Sequence, residues 1–569
     1  MKRNQLKFIV IYTLCIFISQ TKILQAQKNK ANLSIEEQID KLFSKWNTPD
    51  NPGAAIAVIK DGKTIYTKGY GSANLEYQIP IQPNTVFHAA SLSKQFTVFS
   101  ILLLQEDGKL SLDDDVRQYI PELPDFGKKI TLRNLANHSS GLRDQWRLLE
   151  MAGWRLDDVI TMEHILSLVQ RQKALNFDPG EKNMYSNTGF TLLAEIVARV
   201  SEKTFSEFTR ERIFSPLGMK NTLFYDDHEK IVKNRAYSYS KHKNGYKKSV
   251  LSFANVGPTS LFTTAEDFAL WALNFENPKV GDADIIDQMN SRTVLNNGNE
   301  TGYALGQFIG IYRGINVIVH SGSDAGYRAY FARIPDHNMA IVVLANEASS
   351  NPIEKVFGVA DLFLNEFYEE ENNKRKTFKH KSKIFKKLNR KQLERFTGKY
   401  WEPEEWYTRN IIIENDSLVY SRPGGNDTKL APISENEFKM IGDSENVSVI
   451  FNKNNQGEDR MQVIINDRDP INFYAYNPVN LKEYTGSYYS EELETSYSLA
   501  IKNGKLIIQH LRLKGVELKP IKNNLFISDN RNFNQVEFIR NKAGDVTAFS
   551  VSNSGVEGLK FNKISSKTE

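Results

Sequence analysis

Cysteine is almost missing from this chain. A single one, Cys15, occurs in 569 residues, and it lies in an apolar run near the start. One thiol excludes an intrachain disulfide framework and a cysteine metal cluster, and if that run is removed as a leader it excludes a thiol nucleophile too. An excess of one charge is lacking as well. Lys and Arg number 73 against 68 Asp and Glu, a net charge of +5, so nothing points to nucleic acid as a partner. Beyond the N-terminal run no apolar stretch is long enough to cross a bilayer. Two chemical signatures are absent: neither Gly-x-Ser-x-Gly nor His-Glu-x-x-His occurs, which leaves α/β-hydrolase and zinc-protease readings without an anchor. "GYGSANLE" does not continue into a phosphate loop.

What is present is a long, ordinary soluble composition, 25% charged and 40% hydrophobic, enough for several domains. The chain starts with a basic "MKRNQLK", then "FIVIYTLCIFIS", then a small residue, Ala26. This reads as a secretory leader of about 26 residues, with a retained anchor as the alternative. A periplasmic or extracellular location is the expectation.

In "PGAAIAVIKDGKTIYTKGYGSANLE" two strands meet at Asp61-Gly62, a hairpin signal. Helical periodicity follows through much of 91–275; Leu192, Leu193, Ile196, Val197 and Val200, for example, share one face. Strand patterns return at 315–320, 327–335 and 339–346, and a helix at 353–370 closes the unit. Strands at both ends with helices between predict an α/β (α+β) domain over 32–370, one antiparallel sheet packed by helices. The basic run 371–392 reads as a linker. Beyond it the sequence repeats. "LERFTGKYW" matches "LKEYTGSYY", "IIIENDSLVY" matches "LAIKNGKLII" and "LAPISENEF" matches "LKPIKNNLF", each pair 88 positions apart. Short alternating runs with Asn, Asp and Gly turns predict two tandem antiparallel β-barrel or sandwich modules, 393–478 and 479–566.

The chemistry begins in "HAASLSKQFTVFSILLLQEDG", residues 88–108, where Ser91 and Lys94 open a strongly apolar helix. Ser91 as a helix cap with Lys94 reaching to water is one reading. A nucleophile with an amine one turn away is the other. Two further stretches bear on the choice: "FDPGEKNMYSNTGF" sets Tyr185-Ser186-Asn187 before a helix, and "VIVHSGSDAGYRAYF" sets His320-Ser321-Gly322 at a strand end.

In this order and context the three stretches resemble the active-site motifs of the serine β-lactamase and penicillin-binding-protein superfamily, whose signature includes Ser-x-x-Lys. Tyr-Ser-Asn is similar to the second motif of class C β-lactamases and related esterases and peptidases, and His-Ser-Gly to the third motif of the D-aminopeptidase-like branch. The resemblance implies a cofactor-free, metal-free serine hydrolase with Ser91 as nucleophile and Lys94 and Tyr185 as a proton-sharing pair. Either member of that pair could serve as base. It implies that Asn187 bonds substrate amide or Lys94, that the N–H groups of Ser91 and Ser323 hold the oxyanion, and that His320 and Gly322 line the substrate side. Relatives carry Lys where His320 stands, so a substrate carboxylate would lose its fixed cation. The implied substrate is a small amide, a D-amino-acid or peptidoglycan-derived peptide, or an ester, with weak β-lactam hydrolysis as a side activity. A non-catalytic penicilloyl-binding sensor is the rival of another class. His88 and His138 read as structural. For the β modules a lid over the site and a docking surface for cell wall or partner both stand open.

Overall fold

The unbroken apolar run in "AAIAVIK" buries both faces of one strand. Strand β1 (Ala54–Lys60) turns through Asp61 and Gly62, both at positive φ (49° and 73°), into β2 (Lys63–Tyr70), the geometry that a tight two-residue hairpin requires. Four strands from the other end of the domain complete the sheet: β3 (Phe308–Tyr312), β4 (Ile315–Asp324), β5 (Tyr327–Ile334) and β6 (Met339–Ala345). Their order is β3-β4-β5-β6-β1-β2, antiparallel throughout, with Ala54 opposite Ala345 and Lys60 opposite Met339. The domain's two ends are thus stitched together along the whole length of β1.

Period-two alternation then sorts the side chains. Ile56 and Val58 pack with Ile39 and Phe43 of the helix Ile35–Phe43 and with Val356 and Val359 of the helix Pro352–Leu364. Ala55, Ala57 and Ile59 face the larger helical layer, which holds the helices Ser93–Glu106, Asn187–Ser201 and Ala265–Glu276. The helix Ser93–Glu106 is buried on all sides from Ser93 to Leu104. Two boundaries differ from expectation. Strand β4 runs on past His320 to Asp324 because every residue from Ile318 to Asp324 pairs with β5, and that pairing overrides the turn-like composition of "SGSD". The last helix stops at Leu364, followed by a 3-10 turn, Asn365–Phe367.

The computed structural model describes residues 33–368 and 386–564, apart from short stretches at 405–406, 423–424, 426, 443–444, 467 and 476–478. The leader expected at 1–26 and residues 371–385 of the basic run lie outside the described residues. Among those described, no helix is long and apolar enough to cross a membrane.

Each C-terminal repeat closes into an eight-stranded antiparallel barrel, the first from Gly398–Trp401 to Ile471–Ala475, the second from Gly486–Ser490 to Val556–Lys563. Equivalent residues make equivalent bonds. Tyr400 Oη donates to Phe396 O (3.1 Å), and 88 positions on Tyr488 Oη donates to Tyr484 O (2.9 Å). The turns at Asn454–Gly457 and Asn541–Gly544 are closed by the same side-chain caps from Asn454 and Asn541.

Packing order does not follow chain order. The first barrel has its own core around Leu418, Phe438, Val449 and Met461. That of the second, around Tyr488, Phe526, Phe549 and Phe561, is continuous with the helical layer of the N-terminal domain. Tyr497 Oη donates to Met151 O across this junction (2.7 Å). Arg143 and Glu492 form an ion pair there, their side chains 2% and 7% exposed. Replacing Glu492 by Gln leaves the guanidinium buried without its counter-ion, and thermal unfolding should report a loss of about 3 kcal/mol. An unshifted midpoint would show that the docking of the second barrel does not depend on this pair.

Candidate active site

The nucleophile candidate sits on a strained turn. Ser91 belongs to a short 3-10 segment, Ala90–Leu92, that runs into the helix Ser93–Glu106. Ala90 holds φ at 49°, a left-handed conformation that costs a residue with a Cβ about 1 kcal/mol. Two bonds hold it there: Ala90 N–H donates to His88 Nδ1 (3.2 Å) and Ser93 Oγ donates to Ala90 O (2.6 Å). Burial pushes His88 down to about 3, so the ring is neutral and free to accept. Strand β4 closes in from the side. A Cβ on Gly322 would lie 2.3 Å from Ala89 O, so only glycine lets the strand reach the nucleophile turn. Ser323 follows it and is exposed. The two expected oxyanion donors, the N–H groups of Ser91 and Ser323, therefore belong to backbones that adjoin.

Ser91 caps nothing and Lys94 does not reach water. No side-chain cap is present at either helix start, and Lys94 is 0% exposed. Its Nζ has three oxygens around it: Ser91 Oγ at 3.0 Å, Asn187 Oδ1 at 2.8 Å and Pro258 O at 2.9 Å. The rings of Tyr185 and Phe190 fill the rest of its surroundings, 4.9 and 5.4 Å away. Burial pulls Lys94 down to about 7, against the pull of Asp324 and Asp144 toward the charged form. The contacts serve both charge states. As an ammonium Nζ donates to all three oxygens; once it loses a proton, the two carbonyl oxygens, which can only accept, keep its two N–H groups and the lone pair falls to the Ser91 hydroxyl.

Tyr185 is half-buried, its ring beside Lys94; burial first, then Asp144 and Asp324, push its phenol above the ordinary range. The two members of the pair are thereby split, an amine near neutrality and a phenol that keeps its proton. His138 packs against Tyr185 with the rings tilted (centroids 4.2 Å apart, 37° between planes), and its Nδ1 accepts from Ser186 N–H (3.1 Å). The structural histidine of the sequence reading thus forms a wall of the site.

His320 stands apart from the hydrogen-bonded cluster of Ser91, Lys94 and Asn187 and from the Tyr185 ring beside it. It is fully buried, its Nδ1 meets Ser321 O at 2.7 Å, and its Nε2 lies 3.5 Å from Tyr303 Oη. Burial, with Lys94 nearby, lowers it to about 3, so it offers no cation at neutral pH. Three groups at the site were missed from sequence: Asp324, whose carboxylate accepts from Thr259 Oγ1 and is lifted to about 6 by burial; the Pro258 carbonyl; and Asp144. The last two lie in "GPTSLFTTAEDFALW" and near "NHSSGL", which the sequence marks only as accessory turns.

The family model for Beta-lactamase matches residues 39–361. A D-aminopeptidase of Gluconobacter oxydans is 25% identical over 299 residues, 52% of this chain and 56% of that protein. The match thus takes in about half the length of that relative. Penicillin-binding protein 4* of Bacillus subtilis is 28% identical over 340 residues, 56% of this chain and 73% of that protein. Among solved structures, the octameric penicillin-binding protein homologue from Pyrococcus abyssi superposes with a TM-score of 0.54 at 23% identity. It covers 77% of this chain and 99% of its own, a likeness of fold. Since the matched residues make up more than half of the sequence, this chain belongs to the beta-lactamase family.

Proposed function

We propose that this protein is a serine hydrolase that works through an acyl-enzyme on a small amide or peptide, with D-configured substrates first in line. The observation that carries the reading is the environment of Lys94, a buried amine 3.0 Å from Ser91 Oγ whose other two partners are carbonyl oxygens, so that on losing a proton it turns its lone pair to Ser91. In acylation the Ser91 hydroxyl gives its proton to Nζ while Oγ adds to the substrate carbonyl. The backbone N–H groups of Ser91 and Ser323 would receive the oxyanion. As the tetrahedral species collapses, the bond to the leaving amine breaks and that nitrogen takes a proton. Lys94, now an ammonium, supplies it through the Tyr185 hydroxyl. Water then enters by the same path in reverse, frees the acid and restores Ser91.

Similarity to a D-aminopeptidase supports the amide and the D-configuration. The neutral, buried His320 supports a substrate that needs no cation for a carboxylate, which favours a simple amide or ester over a β-lactam. The basic-then-apolar segment at 1–26 supports action outside the cytoplasm.

Two measurements test this. Wild-type protein is given a D-alanyl anilide, a short-chain nitrophenyl ester and a fluorescent penicillin, with product and intact mass followed. At least one of the first two should turn over, and Ser91→Ala should lower that rate by about a thousandfold or more. A stable penicilloyl adduct without any turnover would transfer the reading to a sensor. The rate should also rise with pH and pass half its plateau near 7, because Lys94, held down to about 7, is a base only once it has lost its proton. A flat profile from pH 5 to 9 would remove Lys94 from that role.

A further inference from the structure

Asp144 is only 6% exposed, at the start of the helix Gln145–Met151, and N–H groups surround its carboxylate. Oδ1 accepts from the backbone N–H groups of Trp146 (3.1 Å) and Arg147 (3.3 Å). Oδ2 accepts from Asn187 twice, from its backbone N–H and from Nδ2, both at 2.8 Å. An ionised carboxylate can only accept, so it selects the amide nitrogen of Asn187. The carbonyl end is then turned the other way, onto Lys94 Nζ. A flipped amide would set oxygen against oxygen at Asp144 and an NH2 against the amine at Lys94.

Asp144 is itself held by the second barrel. Its backbone N–H donates to Gly555 O (2.8 Å), in the hairpin turn between the last two strands of that barrel. Asn176 ties the same turn from the other side: Nδ2 donates to Gly555 O (3.1 Å) and Oδ1 accepts from Glu557 N–H (2.7 Å). A Cβ on Gly555 would come within 2.9 Å of Asp144 Cβ and 3.1 Å of Arg147 Cγ. The seat admits backbone only.

We propose that Asp144 is a positioning residue for acylation, fixing the Asn187 amide so that its oxygen meets Lys94, and that the barrel turn Asn553–Glu557 holds Asp144 in that place. This deepens the serine-hydrolase reading and rests on it. Other groups face the same amine: Asp324 favours its charged form together with Asp144, while His138, His320 and Tyr185 are neutral.

The test uses the full chain and a fluorophosphonate, a probe whose phosphorus is attacked by activated serines with loss of fluoride, read as intact mass over time from pH 5 to 9. Asn in place of Asp keeps the helix cap and the volume but removes the charge and the choice between the two ends of Asn187. Asp144→Asn should lower the plateau labelling rate about tenfold and move the midpoint of its pH dependence to lower pH, because an anion that favours protonated Lys94 is gone. A merely structural role would not move that midpoint. Gly555→Ala, which touches no reacting group, should lower the plateau in the same direction. A folded Asp144→Asn protein with wild-type plateau and midpoint overturns the proposal while the hydrolase reading stands. Should that variant fail to fold, Gly555→Ala decides: a lowered plateau supports the proposal and an unchanged one overturns it. If wild-type protein is not labelled on Ser91 at any pH, the nucleophile reading fails and the positioning role falls with it.

Discussion

A single amine, shut away from water, sets the terms for this site. Lys94 stands in the first turn of a helix buried on every side, with no path along which its long side chain could reach solvent. A charge there would be costly, and the surroundings answer with oxygens from the adjoining turn, Ser91, and from two remote parts of the chain, Asn187 and Pro258. The same burial that strains the folded state holds the lysine down to about 7. In the function proposed above, stability given up at one residue becomes reactivity at its neighbour, three positions earlier.

Bringing those parts together depends on the sheet. Strand β1 draws the two ends of the domain into register, and β4 reaches the nucleophile turn because Gly322 lacks a side chain. The helix Asn187–Ser201 enters the same core, so its first residue meets Lys94. The strained backbone at Ala90 is held by His88 and Ser93, both fully or almost fully buried. Such strain persists only where the surroundings over-determine it.

Much of this was legible in the sequence, and the reason differs from part to part. Ser91 with Lys94, and Tyr185 with Asn187, are close neighbours along the chain, so helical spacing and turn chemistry expose them. The repeat was visible because each barrel keeps the same tyrosine bond and the same asparagine turn. Barrel and sandwich could not be told apart, since strand alternation is identical in both and closure is a property of pairing. Asp144, Asp324 and the Pro258 carbonyl were not legible. Their roles come from tertiary neighbours: an aspartate that caps a helix and an aspartate that orients an amide look alike in a string of letters. His320 shows the converse. Its position in the motif suggested a working group, and full burial with a backbone partner gives it a quieter place.

The duplicated barrels look like interchangeable parts, yet they are not. In the second copy the turn before the last strand ends on Gly555 and lies on the N-terminal domain. In the first copy the corresponding turn carries Arg468, Asp469 and Pro470 ahead of the strand Ile471–Ala475. Those side chains could not enter a seat that admits only backbone. The two modules are therefore under different constraints: the inner one is bound to the geometry of its host at this hairpin, as it is at Tyr497 and Glu492, and the outer one is released from that seat. A chain with the two modules exchanged would keep every barrel bond and still lose the fit.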